Sequence, residues 1–476
     1  MRTLITRASL LTIAVTILLS CNDEYTPNNR VPELTVKVNN FIKSTMHEYY
    51  LWYKNMPLID PNYKFNSEDY FYELLYEEDK WSYITSDIKA FEESINNGIE
   101  KTFGYMLAFG NFSNTGTVFA IVEYVYPNSP AYKAGLKRGD IIVLMNDSDI
   151  TVGNYSQLLY NDNISITLGV LSEAGLSTGN TISMTSEVLM LDPVQIWKVI
   201  NYDGHKIGYL FYTQYISDFN SSLDKAFLDF QQQGITDLIV DLRYNPGGGI
   251  LAAQYFCSSI APFDIVNNGN TLVTFQWNDK IQNVFKQNPD QYAYNLEVTF
   301  TDNVTAKLGL NKIYFLTGSG TASASELSIT GLKPYMDVTL VGDTTFGKYT
   351  GSITIKPEDF YHNDSYYSDF KNWGLQPIVL RYANSMGFTD FKNGFAPDIP
   401  VYDDLLTGIA LGDVEESLLK AAVEDITGTK VPTTRSVKKE NPKFNVFDRG
   451  FSKYDKNKRE VILDLYENNF IPHITE

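Results

Sequence analysis

A serine and a lysine define the chemistry open to this chain. Ser323 stands in the run Thr321-Ala322-Ser323-Ala324-Ser325-Glu326, and Lys348 in Phe346-Gly347-Lys348. A serine hydroxyl becomes a nucleophile only when a base takes its proton, and a neutral lysine amine is one such base. A lysine has a reference pKa of roughly 10.4, so it must be shifted to act near neutrality. Lowering it by about three units costs on the order of 4 kcal/mol, which burial can supply. Phe346 and Tyr349 flank Lys348 and are the expected desolvating neighbours.

The elements that must position this pair can be read from the flanking pattern. Ile313-Tyr314-Phe315-Leu316 reads as a buried strand, Gly318 and Gly320 break it, and a helix follows through about Leu332. A serine at that helix mouth sits where unpaired backbone N–H groups point outward, and such donors can hold an oxyanion. A second buried strand over 338–341 ends at Gly342 and brings Lys348 round on the next turn. Upstream, Ile235-Thr236-Asp237-Leu238-Ile239-Val240-Asp241-Leu242-Arg243 is a further buried strand, ending in Tyr244-Asn245-Pro246-Gly247-Gly248-Gly249. Strands alternating with helices imply an α/β core. The glycine run lacks the lysine of a phosphate-binding GxxxxGK[ST] loop, and no GxGxxG dinucleotide fingerprint follows the first strand.

TASASE followed by FGK resembles the active-site signature of the C-terminal processing (tail-specific) serine peptidases, with the spacing kept without a gap. The resemblance implies Ser323 as nucleophile and Lys348 as general base. DLR.NPGGG resembles the family's second motif, which implies an oxyanion hole from Gly247 or Gly248 together with the Ala324 N–H. Trp373-Gly374-Leu375-Gln376-Pro377 and Gly394-Phe395-Ala396-Pro397-Asp398-Ile399 are similar to the family's closing motifs. Two positions depart from the pattern. Pro334 stands where many members carry an aspartate, with Asp337 nearby, and Ser352 stands where others carry a supporting glutamine. Ser352 is therefore the candidate support for the lysine.

Between 101 and 192 the texture changes to short strands and turns. Ser129-Pro130-Ala131, Ala134-Gly135-Leu136 and Gly139-Asp140-Ile141 resemble the markers of a PDZ module. Such modules add a peptide as a strand to a sheet edge and capture its terminal carboxylate with backbone N–H groups. The carboxylate loop implied here is Phe103-Gly104-Tyr105-Met106. Residues 33–100 carry helical apolar spacing with many aromatics, including Phe41, Tyr49, Trp52, Tyr70 and Trp81. They resemble the helical segment that precedes the PDZ module in some of these peptidases.

Length and charge narrow the remaining classes. A chain of 476 residues is too long for one ordinary core. A net charge of −19 argues against a nucleic-acid partner, whose phosphates it would repel. Arg2 and Arg7 precede an apolar stretch over 10–19, too short for a comfortable membrane span but of signal-peptide form. It closes in Leu18-Leu19-Ser20-Cys21, which resembles a bacterial lipobox, and Asn22-Asp23-Glu24 resembles the acidic tethers of surface lipoproteins in Bacteroidetes-like bacteria. Cys21 is thus the expected lipidation site, Cys257 a buried small residue, and the protein an outer-membrane, cell-envelope lipoprotein anchored by lipid.

His47, His205, His362 and His473 fall in no motif, so a Ser-His-Asp triad has no support, and no HExxH or Cys/His cluster points to a metal. No cofactor is implied. The expected architecture is multidomain α/β: leader 1–21, tether 22–32, helical domain 33–100, PDZ domain 101–192, a ClpP/crotonase-like peptidase core 193–405, and a C-terminal helix, linker and tail over 406–476. The expected function is a Ser-Lys endopeptidase acting on protein or peptide substrates through their C-terminal tails; the oligomeric state is left open. Two alternatives stand beside it: a peptide-binding lipoprotein without efficient turnover, and a hydrolase of non-peptide esters or amides on the same core.

Overall fold

Four adjacent parallel strands form the core, and three of them end at the candidate site. In the computed structural model, which describes residues 30–432 (except 114, 160, 173 and 174), 441–450 and 461–462, these strands are His205–Tyr212, Asp237–Asp241, Lys312–Thr317 and Asp337–Gly342. Ile399–Pro400 adds a fifth parallel strand at one edge and Val194–Tyr202 an antiparallel one at the other. Interior positions such as Leu238, Ile239, Val240, Tyr314, Phe315 and Leu316 are buried on both faces, the pattern of a covered parallel sheet. Helices Asn220–Gln233, Ile250–Ile260 and Ala324–Leu332 connect these strands. In open α/β sheets ligands bind beyond the carboxyl ends of the strands. Here that edge carries the glycine run after Asp241, Ser323 after Thr317 and Lys348 after Gly342.

The N-terminal segment is helical at Glu33–Tyr49, Ser67–Glu73 and Ile88–Asn97. Val38, Phe41, Ile42, Thr45, Met46 and Tyr49 fall at helical spacing on one buried face. That face shares one hydrophobic cluster with Phe256, Phe315 and Leu327 of the α/β core. The segment also holds a strand, Tyr83–Thr85, absent from a purely helical reading. It pairs antiparallel with Gly374–Gln376, a partner too distant in sequence for local pattern to indicate.

Residues of the PDZ-like segment form a sheet whose successive neighbours are Tyr105–Phe112, Val118–Val125, Ile141–Met145, Asn163–Ser172 and Gly175–Thr185. Short helices Pro130–Lys133 and Tyr155–Leu158 complete it, the first capped by Ser129, whose hydroxyl accepts the Tyr132 N–H at 3.2 Å. A further strand on its outer edge comes from the far end of the chain: Phe444–Gly450 pairs antiparallel with Tyr105–Phe112. Multidomain α/β architecture is thus what the chain adopts. Cys257 is fully buried, and burial pushes its thiol up to about 12.

Candidate active site

Ser323 is the N-cap of helix Ala324–Leu332, with φ 65° and ψ −116°. A non-glycine residue rarely adopts positive φ, and such strain collects at functional sites. Its hydroxyl is buried and makes no hydrogen bond among the described residues. Lys348 lies in the loop between Asp337–Gly342 and Thr350–Ser352, and its side chain is also fully buried. Around it, Tyr349 is buried edge-on to Trp81 of the N-terminal segment at 6.0 Å, and Phe346 is partly buried. Removal of water disfavours an ammonium relative to a neutral amine.

Two side chains that the sequence reading did not single out bind the nucleophile loop to the lysine loop. Glu326 Oε2 accepts the N–H of Ser323 at 3.0 Å and that of Lys348 at 2.7 Å. Its Oε1 accepts the Gly347 N–H and the Thr345 hydroxyl, both at 2.6 Å. From the other side, the Tyr382 hydroxyl meets the carbonyls of Ser323 at 3.2 Å and Lys348 at 2.7 Å. The Ser-x-x-Glu spacing is a capping-box signal and made Glu326 findable. Tyr382 arrives on the strand Ile378–Asn384 of a second sheet, and nothing in its local sequence announces it.

The glycine loop is laced to the serine loop by small hydroxyls and backbone. Thr321 Oγ1 donates to Leu242 O at 2.8 Å, while Ala322 N–H and Ser325 Oγ both donate to Asn245 O at 3.1 Å. These contacts give the Thr321 and Ser325 hydroxyls of the serine motif their partners. A Cβ on Gly247 would lie 2.6 Å from Ser323 Cβ and 2.9 Å from Ala324 N, so any side chain there would fill the space beside the hydroxyl. Gly247 also has φ +113°, a conformation suited to glycine. Its N–H is held by Asn245 Oδ1 at 2.9 Å, and the backbone of Gly248 pairs with Val461, so both candidate oxyanion glycines are engaged in this structure.

Ser352 is buried at the end of Thr350–Ser352. Asp337 opens the strand Asp337–Gly342 and so sits at the opposite end from the site. His205 pairs with Asp237 at 2.8 Å, at the amino ends of their strands, again away from Ser323.

A buried ionic cluster fixes the loop before the glycines. Arg243 forks to Asp241 (2.9 Å from both Nε and Nη2) and to Glu416 (2.7 and 2.8 Å). Arg138, from the turn before Ile141–Met145, reaches Asp403 at 2.6 Å and the Tyr244 hydroxyl at 2.5 Å. Burial raises the Asp403 carboxyl, yet the Arg138 and Arg243 guanidiniums prevail and hold it below its ordinary range. Gly104, Tyr105 and Met106 line one cleft together with Pro246, Gly247 and Gly248. Phe103 lies behind them, buried and stacked on Tyr105 at 5.6 Å. Cys21 and His473 lie outside the described residues.

Comparison with known proteins gives three family matches along the chain. The model for peptidase family S41 matches residues 206–401, that for the S41 N-terminal domain residues 37–83, and a PDZ domain model residues 121–170. Among curated relatives, the chloroplastic C-terminal processing peptidase of Tetradesmus obliquus is 25% identical over 59% of this chain. The carboxyl-terminal-processing protease of Synechocystis sp. is 25% identical over 63% of it. The chain spans 56% and 63% of those two relatives' own lengths. A solved structure from Bacteroides fragilis, described as a candidate S41 protease, is 29% identical with a TM-score of 0.65. The match covers 82% of this chain and 97% of that one.

Proposed function

Because the chain belongs to peptidase family S41, with that family's N-terminal domain ahead of a PDZ domain and the protease core, we propose that it is a serine endopeptidase of the C-terminal processing type. In this reading Ser323 Oγ attacks the substrate carbonyl while its proton passes to the neutral amine of Lys348. The N–H groups of Gly247 or Gly248 and of Ala324 receive the developing oxyanion. Lys348 then returns the proton to the leaving amine, and the acyl group stays on Ser323 as an ester. A water, deprotonated by the same amine, hydrolyses that ester and restores the serine.

The observation that carries the reading is the double staple by Glu326 and Tyr382. Each holds the backbone of Ser323 and of Lys348 at once, which fixes two remote loops as one unit. An inert peptide receptor would have no need of that rigidity beside a strained, unpartnered serine. The cleft shared by the carboxylate loop and the glycine run supports peptides as the substrate class, delivered from the PDZ domain. The apolar leader ending in Cys21 supports a lipid-anchored location in the cell envelope, which labelling with a fatty-acid analogue, lost in Cys21→Ala, would check.

The test is covalent labelling by a serine-reactive organophosphorus probe, run beside hydrolysis of an unstructured protein. Labelling and hydrolysis should both vanish in Ser323→Ala and in Lys348→Met. Undiminished labelling of Ser323→Ala would overturn the assignment. Turnover of simple esters without any of peptides would move it to a non-peptide hydrolase.

A further inference from the structure

The outer edge of the PDZ sheet is occupied in this structure, and its occupant belongs to the chain itself. Phe444 faces Phe112 and Gly450 faces Leu107 across an antiparallel pairing. The segment therefore runs toward the loop Phe103-Gly104 as its numbering rises, the direction in which a captured peptide tail approaches a carboxylate loop. Its side chains fill recognition positions. The Phe447 ring stands edge-on to Tyr155 at 5.4 Å, and the Tyr155 hydroxyl donates to the Asp448 carboxylate. Tyr155 opens the short helix Tyr155–Leu158, so the segment lies between that helix and the strand Tyr105–Phe112. Phe444 is buried against Phe119 and Tyr402.

Arg449 carries the contact onward to the candidate active site. Its Nε meets Glu123, a fully buried carboxylate of Val118–Val125, at 2.8 Å, and its Nη1 reaches Ser319 Oγ in the turn before Ser323 at 2.6 Å. Farther along, the strand Val461–Ile462 pairs in parallel with Gly248–Gly249 on one side and with Ser352 on the other. The same terminal segment thus takes a strand position at the PDZ edge and another between the oxyanion glycines and the strand after Lys348.

We propose that the PDZ groove is a peptide-strand site whose resident ligand is this chain's own Phe444–Gly450, so that an incoming substrate must displace it by presenting a like pattern. That pattern is an aromatic, an acidic and a basic residue in succession, as in Phe447-Asp448-Arg449. The proposal rests on the peptidase reading for its purpose, but its test does not require turnover. A tethered ligand acts at an effective concentration on the order of mM. A groove that alone would bind such a peptide at ~10 µM therefore looks about 100-fold weaker to an outside peptide.

The experiment measures binding of a fluorescent peptide copying residues 443–450 to full-length Ser323→Ala protein. Phe447→Ala/Asp448→Ala loosens the segment while keeping the Arg449–Glu123 pair, and should tighten peptide binding about tenfold or more. Asn111→Cys/Asn445→Cys joins two facing residues; its oxidised form should bind about tenfold more weakly than its reduced form. Should the first variant fail to fold, the second decides alone, because oxidation only locks the native pairing. Equal binding by the locked, reduced and loosened proteins, or no binding by any, would overturn the proposal. Tail-dependent binding without any hydrolysis by the Ser323 protein would uphold it and count against the peptidase reading instead.

Discussion

The N–H groups of Ser323 and Lys348 end on one and the same oxygen, Oε2 of Glu326, at 3.0 and 2.7 Å. This places a buried carboxylate behind both candidate residues, where it orients backbone rather than side chains. The family resemblance implied a third group beyond the lysine, at Ser352. Glu326 does a different job, fixing the distance between two loops that belong to separate strand-turn units.

Glu326 gives the molecule a pH signature. Burial pushes its carboxyl from an ordinary 4.5 up to about 7, against the pull of its four donors. A carboxyl raised by folding binds extra proton in the native state between those two values. Its contribution to stability is complete below the lower value and is lost as pH climbs through the upper one. The size is on the order of 3 kcal/mol. The thermal midpoint of the parent should therefore fall between about pH 5 and about pH 8 by more than that of Glu326→Gln, which cannot titrate. Parallel pH dependences in the two proteins would show that Glu326 stays ionised throughout.

Tyr382 acts as a positioning residue through the same pair of loops. Tyr382→Phe leaves two buried carbonyls without this donor, a loss of ~1–3 kcal/mol in stability. Loops free to shift by a fraction of an ångström should lower kcat about 10- to 100-fold with little change in KM. Steady-state kinetics separates this from a purely structural role, which would leave kcat per folded molecule intact.

Gly247 tests the oxyanion geometry. In Gly247→Ala the new methyl would meet Ser323 Cβ at 2.6 Å and Ala324 N at 2.9 Å, on a backbone at φ +113°. Turnover should drop by about 100-fold or more, the scale of losing one oxyanion donor. Probe labelling of Ser323 should fall in step. A variant with full turnover would show that the glycine loop stands clear of the reacting carbonyl.

Arg243 tests the ionic cluster that holds the glycine loop. Removing it leaves Asp241 and Glu416 as buried charges without their shared partner. Breaking a buried pair in this way costs about 3–5 kcal/mol. Arg243→Met should thus lower the thermal midpoint steeply, whereas Lys54→Met, at the exposed pair with Asp279, should leave it nearly unchanged.

The elements that carry Ser323 and Lys348 were legible because their signal is local: a strand that breaks at glycines, a serine at a helix mouth, a lysine after the next strand. The same holds for the parallel core, since Asp237–Asp241 and Lys312–Thr317 are continuous apolar runs. What stayed hidden depends on chain segments that meet only in the fold. Tyr382 reaches Ser323 from another sheet, Arg138 reaches Asp403 from the PDZ domain, and Tyr83–Thr85 finds Gly374–Gln376 across most of the chain. The tail behaves likewise: Phe444 and Phe447 meet Phe119 and Tyr155, residues more than 290 positions earlier in the chain.

The backbone twist at Ser323 has an evolutionary consequence. Its hydroxyl makes no hydrogen bond among the described residues, while its φ of 65° would suit a residue without a side chain. Relief of such strain amounts to about 1–3 kcal/mol, so Ser323→Gly should melt higher than the parent. Under the proposed peptidase function, selection for cutting is then what keeps serine in place. A descendant relieved of that duty would drift to glycine early, trading reactivity for robustness in a single codon change.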